Sequence, residues 1–365
     1  MKNNRYCVIM AGGLGTRLWP FSTEQEPKQF TDILATGRTL LQHTFDRFSG
    51  IIPDGNFYVV TSVKYESLCL EQLPALEKKQ ILLEPEGKNT ASCIAYASHK
   101  IKLNDKNANI VVSPADHLVL DIPKFKELIL RGLDYVDRNK RILTIGVKPN
   151  VPSVNYGYIK INHDNDDYAQ SDLKHVESFI EKPDLKTAKE FVENGNYFWN
   201  SGIFLWSADT IVSALEEYLP SINNKFLEGL DYFGTQREEE YIKEIYPQLE
   251  NISVDYGIME NAENISMLIG DFIWSDLGTW KSVSEYFIID EKGNATAHDN
   301  AVFYESENCI VHVGKEKTIV VEGLKNYVIC ETEKNISIRK IESEDKVKQV
   351  IEELKKRNSS EKNMV

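Results

Sequence analysis

Long apolar runs are missing from this 365-residue sequence. None approaches the roughly 18 residues that a membrane-spanning helix needs, so no membrane partner is expected. The opening Met1-Lys2-Asn3-Asn4-Arg5 leads into an apolar stretch too soon broken by Gly12 for a secretory leader. Positive charge is in deficit: 42 Lys and Arg stand against 56 Asp and Glu, a formal net charge of −14. That leaves no extended basic surface for nucleic acid, although a phosphorylated small molecule needs only a few local cations. Cysteine is scarce and scattered. Cys7, Cys69, Cys93, Cys309 and Cys330 form neither a disulfide framework nor a Cys-x-x-Cys metal site. The seven histidines show no His-Glu-x-x-His pattern. Reduced thiols in a cytoplasmic protein are therefore expected. What is present is ordinary for a globular chain: 42% hydrophobic and 27% charged residues, enough for a large domain and a smaller appendage.

Apolar, β-branched segments alternate with amphipathic ones over the first two-thirds. Tyr6-Met10, Asn56-Thr61, Gln80-Leu83, Asn109-Val112 and Ile142-Val147 read as strands. Helical stretches fall near Leu40-Phe48, Lys64-Gln72, Ala91-Leu103 and Phe125-Asp137. This alternation predicts an α/β fold with a mostly parallel sheet covered on both faces, with ligands at the carboxyl ends of the strands. From Asn294 to Lys340 short alternating runs follow (Ala301-Tyr304, Cys309-Val313, Thr318-Val321, Tyr327-Cys330, Ile336-Ile338), predicting a small all-β appendage. Ser343-Lys356 reads as a charged helix with Val347, Val350, Ile351 and Leu354 on one face, and residues after Arg357 as a disordered tail. The expected division is 1–288, 289–342 and 343–365.

Three strand ends carry chemistry. Ala11-Gly12-Gly13-Leu14-Gly15-Thr16-Arg17-Leu18-Trp19-Pro20 follows the first strand. It is no Walker loop, because Thr16-Arg17 stands where Lys-Ser/Thr belongs. Nor is it a dinucleotide fingerprint, because Leu18 occupies the third glycine's place. Its glycines let the backbone turn and aim N–H groups at an anion, and Arg17 adds a fork of donors. Pro27-Lys28-Gln29-Phe30 brings a second cation close by in sequence. A tight surface turn is the alternative. After the third strand, Glu84-Pro85-Glu86-Gly87-Lys88-Asn89-Thr90 leads into a helix that Asn89 or Thr90 is expected to cap. After the fourth comes Ser113-Pro114-Ala115-Asp116-His117, and Asp276 sits in a similar place in Trp274-Ser275-Asp276-Leu277-Gly278. Each aspartate is either a turn residue or one of two carboxylates for Mg²⁺, an ion that takes few carboxylates beside phosphate and water. Phe179-Ile180-Glu181-Lys182-Pro183 and Trp199-Asn200-Ser201-Gly202 mix aromatics with polar groups apt for a sugar and its phosphate, or form an exposed turn and a buried strand.

Taken in order, these motifs, with Ser253-Val254-Asp255-Tyr256, resemble the mannose-1-phosphate guanylyltransferases of the sugar nucleotidyltransferase superfamily, from Tyr6 to about Leu354. The resemblance implies a Rossmann-like, GT-A-like mixed sheet with helices on both faces, followed by a short left-handed β-helix-like segment. It implies GTP and mannose 1-phosphate as substrates, GDP-mannose and pyrophosphate as products, Mg²⁺ as cofactor and a homodimer. It assigns Ala11, Gly12, Gly13, Gly15 and Thr16 to the triphosphate, and Glu84, Pro85, Asn89 and Thr90 to guanine and ribose. Arg17, Lys28, Asp116 and Lys182 become catalytic, Asp116 and Asp276 metal ligands, and Gly157, Glu181, Asn200 and Asp255 sugar ligands. Long members of the family add an isomerase domain, which this length leaves no room for. Leu14, Thr23, Asn155 and Asn261 depart from the family's usual Ser, Arg, Gly and Lys. Another nucleotide or hexose 1-phosphate, or a catalytically silent binding subunit, are the alternatives.

Overall fold

The computed structural model describes residues 2–162 and 172–362. In chain order the first strands are β1 (Arg5–Met10), β2 (Phe57–Ser62), β3 (Ile81–Glu84), β4 (Asn109–Pro114), β5 (Leu118–Val119) and β6 (Ile142–Val147). They continue with β7 (Tyr158–Ile161), β8 (Leu173–Ile180), β9 (Tyr197–Ser207), β10 (Ile265–Gly270) and β11 (Trp274–Ser275). Nine of these make one sheet in the order β3-β2-β1-β4-β9-β6-β10-β8-β7.

One end of the sheet matches the parallel expectation. β1 pairs in parallel with β2 and β4, and β2 with β3. Its Cys7-Val8-Ile9 core is fully buried, as a strand covered on both faces requires. The other end departs from the mostly parallel pattern and carries the mixed sheet that the resemblance implies. β9 runs antiparallel to β4, β6 and β7, and β8 antiparallel to β10 and β7. The sheet is therefore mixed. Between β4 and β6, the eleven-residue β9 buries Phe204 and Trp206, whose rings stack 5.8 Å apart. The helix Asn89–Asn104 lies against this sheet and buries ten of its residues, among them the small Ala91, Ser92, Ala95, Ala97 and Ser98 that let it approach closely.

After 275 the predicted short strands appear: β12 (Ile288–Ile289), β13 (Ala295–Thr296), β14 (Ala301–Tyr304), β15 (Ile310–His312), β16 (Ile319–Glu322), β17 (Tyr327–Glu331) and β18 (Ile336–Lys340). β13, β15 and β17 stack in parallel, as do β14 and β16, while β12 and β18 close the ends antiparallel. Ala295 lies beside Ile310, Ile310 beside Val328, and Ala301 beside Ile319. Left-handed backbone recurs at matching corners, at Glu305 and Gly323 and again at Asn308 and Asn326. This is the arrangement of a coil wound in stacked turns. The final helix runs Val347–Lys362, so the expected tail after Arg357 is helical to Lys362, and 363–365 lie outside the described residues. Val347 is buried, and Val350, Ile351 and Leu354 are half-buried, on the predicted face.

Two compact units gather the described residues of 1–12, 44–115 and 119–274, and those of 13–43, 116–118 and 275–365. The first carries the sheet and its core. The second is held by Leu18, Ile33, Leu40, Leu118, Leu277, Trp280, Ile310 and Val328. The segment after the glycine turn thus packs with the C-terminal third, because its apolar residues complete that core.

Candidate active site

In the second unit the residues around Lys28 converge on a cavity of about 460 Å³. Gly15, Thr16, Arg17, Lys28, Asp116 and Asp276 line it. Gly15 is dictated twice over. Its φ is +57°, and a Cβ there would stand 2.7 Å from the Lys28 Cβ. A single turn of 3₁₀ helix, Thr16–Leu18, then sinks Leu18 into the core and leaves Arg17 half-buried. Among the described residues Arg17 has no ion-pair partner, which suits an anion from solution.

Lys28 is only 3% exposed. Its Nζ lies 2.9 Å from Asp116 Oδ2 and donates to the Asp276 carbonyl at 2.5 Å. Burial works against the charge on Asp116. Lys28, and His117 with its Nε2 3.6 Å from Oδ1, outweigh that and hold the carboxyl below its ordinary range. Asp276 Oδ1 accepts the Gly278 N–H at 3.0 Å, and the buried Leu277 between them takes a left-handed φ of 47°. Such strain in an apolar side chain marks a turn held in place by its surroundings. Among the described residues no three His, Cys, Asp or Glu side chains form a metal cluster.

Leu14, at 40% exposure, offers its backbone instead of a hydroxyl: its carbonyl accepts from Ser22 Oγ at 2.5 Å. Thr23 accepts the Glu26 N–H at 3.1 Å and closes a turn.

Of the remaining sequence-predicted residues, Gly13 belongs to the second unit and the others to the first. Ala11 is pinned at the end of β1, its N–H donating to the Val60 carbonyl and its carbonyl accepting from Thr61 Oγ1, both at 2.8 Å. Gly12 and Gly13 are exposed, and nothing lies within 4 Å of where a Gly13 Cβ would be. A Cβ at Gly12 would sit 3.6 Å from Glu84 Oε2. Glu84, at the end of β3, is buried and accepts from Tyr246 OH at 2.8 Å. Burial pushes its carboxyl up to about 7 despite that bond. Pro85 follows directly, half-buried. The expected cap is not formed: Lys88 occupies the N-cap position without a side-chain bond. Asn89 Oδ1 accepts the Thr90 N–H at 3.0 Å, and Thr90 Oγ1 accepts the Val254 N–H at 2.8 Å. Thr90 ties two loops together, which a local reading of the helix start did not reveal.

Gly157, Glu181, Asn200 and Asp255 come together. A Cβ on Gly157 would be 2.4 Å from Glu181 Oε2, so with any other residue that carboxylate would have to move. The Asn200 N–H donates to the Gly157 carbonyl at 2.8 Å, and Asn200 Nδ2 donates to Asp255 Oδ1 at 2.8 Å. Lys182, with a left-handed φ of 45°, pairs with Glu181. Burial first, and the Glu181 charge second, push Asp255 up to about 6, against the bond from Asn200. Beside them Trp199 packs edge-on to Tyr156, centroids 4.9 Å apart. Its buried Nε1 has no partner among the described residues.

Sequence reasoning missed several groups. Gly278, Val347 and Lys348 also line the phosphate-type cavity, and His117 flanks Asp116 there. His117 was signalled only by adjacency to Asp116. Lys348, some 330 residues from the glycine turn, had no local signal.

A glycine turn at a strand end, a half-buried arginine and a lysine tied to two aspartates define a phosphate-handling α/β protein. Residues 6–293 match the nucleotidyl transferase family model. The mannose-1-phosphate guanylyltransferase of Klebsiella pneumoniae is 33% identical over 97% of this chain and 74% of its own length. The alginate biosynthesis protein AlgA of Pseudomonas syringae pv. tomato is 35% identical over 86% of this chain. The chain spans 64% of that relative's length. A solved structure from Thermus thermophilus, named mannose-1-phosphate geranyltransferase, superposes with a TM-score of 0.84 at 28% identity, over 96% of this chain and 99% of that one. The chain belongs to the nucleotidyl transferase family, on its mannose-1-phosphate guanylyltransferase branch.

Proposed function

We propose that the chain transfers the guanylyl group of GTP to α-D-mannose 1-phosphate, forming GDP-mannose and releasing pyrophosphate. The observation that carries this is the cavity in which Lys28 joins Asp116 and Asp276 beside Arg17. The names of the relatives direct it to mannose and guanine.

In this reading Ala11, Gly12, Gly13, Gly15 and Thr16 cradle the triphosphate, and Arg17 and Lys28 neutralise the departing pyrophosphate. Glu84, Pro85, Asn89 and Thr90 border guanine and ribose. Gly157, Glu181, Asn200 and Asp255 hold mannose, with Lys182 at the sugar phosphate. The sugar phosphate attacks the α-phosphorus in line while pyrophosphate leaves opposite. Its oxygen is already anionic near neutrality, so no general base is required. Catalysis is alignment and charge neutralisation.

Asp116 and Asp276 suit Mg²⁺: both line one cavity, and an ion that takes few carboxylates leaves its other positions to phosphate and water. When bound, the ion supplies charge stabilisation at the phosphates. A cytoplasmic location is part of the proposal, supported by five free, buried cysteines. No helix among the described residues is long and apolar enough to cross a membrane. A homodimer rests on the resemblance alone.

A pyrophosphate-release assay with mannose 1-phosphate and a nucleotide panel tests the reading, with and without Mg²⁺. GTP is expected to be fastest. Faster turnover with UTP, dTTP or ATP rejects the base, and no release with any pair rejects the activity.

A further inference from the structure

The cavity has a wall contributed by the C-terminal helix. Val347 and Lys348, its first two residues, line the same space as Arg17, Lys28, Asp116 and Asp276. The helix is anchored rather than loosely apposed. Val347 is 1% exposed, and Val350, Ile351 and Leu354 are half-buried on the same face. Further along, Lys355 Nζ lies 2.5 Å from Glu24 Oε1, a residue of the segment that follows the glycine turn. The preceding strand is also tied to that segment, by Arg339 Nη2 donating to the Trp19 carbonyl at 2.8 Å.

Successive helical residues point about 100° apart, so burying Val347 turns Lys348 out along the cavity rim. Lys348 is exposed and has no ion-pair partner among the described residues. The charges facing it from the other elements are Arg17, Lys28, His117, Asp116 and Asp276. Lys28 is already committed to Asp116. Arg17 and Lys348 are thus the two cations of this cavity without a carboxylate partner, one from the glycine turn and one from the far end of the chain. A flexible ammonium at the rim of an anion site, opposite a guanidinium, suits a ligand with several phosphate oxygens.

We propose that Lys348 is a third cation of the phosphate site, contacting the outer phosphates of the nucleoside triphosphate and, in the reverse direction, pyrophosphate. This rests on the phosphate role read above for the cavity. The C-terminal helix is then part of the binding site, and its position sets the affinity for the polyphosphate end of the nucleotide without touching the sugar.

Inorganic pyrophosphate, titrated calorimetrically into the full chain, tests this. Lys348→Glu is expected to weaken binding about tenfold, and Lys348→Arg to stay within about twofold. Lys334→Glu makes the same charge change at an exposed position outside the cavity and should bind like the parent. The loss in Lys348→Glu should shrink as salt is raised, as screening of an exposed charge requires. In steady state the KM for GTP should rise while that for mannose 1-phosphate holds. Thermal melts confirm folding, and Lys348→Ala, expected to be intermediate, serves if the charge reversal unfolds the helix. Undiminished pyrophosphate binding in Lys348→Glu, or equal weakening in Lys334→Glu, overturns the proposal. Parent protein that binds pyrophosphate but makes no GDP-mannose overturns the functional reading alone. Parent protein that does not bind pyrophosphate overturns the proposal, and the functional reading falls with it only where no substrate pair releases pyrophosphate.

Discussion

On the phosphate side Asp116 is held below the ordinary carboxylate range, because Lys28 and His117 overcome its burial. In the sheet-bearing unit Glu84 is pushed up to about 7 and Asp255 up to about 6, because burial there meets no paired cation of comparable strength. These three carboxyls are therefore suited to different partners. A carboxylate kept ionised beside a buried lysine suits metal and phosphate chemistry. A buried carboxyl that titrates near neutrality can accept or donate hydrogen bonds, which suits hydroxyls and base edges.

The largest effect should come from breaking the first half of this contrast. Asp116→Asn keeps the shape and removes the charge, and turnover should fall about a thousandfold, the scale of losing a principal electrostatic contact to a transferring group. Pyrophosphate-release rates and thermal melts check it together. A melting temperature near the parent's separates lost chemistry from lost folding, and turnover above a tenth of the parent's rejects the role.

Next comes Glu84, whose buried carboxyl binds a proton more tightly when folded than unfolded. Stability is then lost as pH rises from about 4.5 through about 7. Glu84→Gln should be more stable than the parent above pH 7, by about 3 kcal/mol at most, with the difference vanishing toward pH 4.5. Denaturant titrations across that range measure it. The neighbouring Tyr246 and Cys93 are both raised far out of this window by burial and do not titrate in it.

The phosphate-side unit should respond to acid in the opposite sense. His312 is buried among Phe21, Trp280 and Phe287, its Nε2 3.1 Å from the Ile33 carbonyl. Burial lowers its pKa to about 4, and of the other charges near it His298 lowers and Asp32 raises it. Unfolded chains bind the proton first, so stability is lost as pH falls from about 6.5 through about 4, by about 2 kcal/mol at pH 5. A His312→Gln variant should flatten that slope in acid melts, and an unchanged slope would assign it elsewhere.

Smallest is Gly157→Ala. The added methyl must displace the Glu181 carboxylate, so the KM for mannose 1-phosphate should rise about tenfold with that for GTP unchanged. A matching rise for GTP would place Glu181 outside a sugar site.

Much of the architecture was legible before any coordinates. Ile142–Val147 and Ala301–Tyr304 form strands over the expected residues, and Leu40–Phe48 the expected helix. Local periodicity suffices for segments that bury one side or both. The antiparallel β9 was not legible, because residue types along a strand carry no mark of its direction. Direction is settled by which neighbours it pairs with, here β4 and β6.

For the site, the sequence by itself determined the residue types: the turn of Gly12, Gly13 and Gly15, the cations Arg17 and Lys28, and the carboxylates Asp116 and Asp276. Only the tertiary structure decided that Lys28 would be buried against Asp116 and the Asp276 backbone, that Glu181 would press on Gly157, and that Lys348 would reach the glycine turn. The reason is that residue chemistry is local. Burial, pairing and the resulting shifts in charge depend on contacts between segments up to some 330 residues apart, and those exist only once the core has closed.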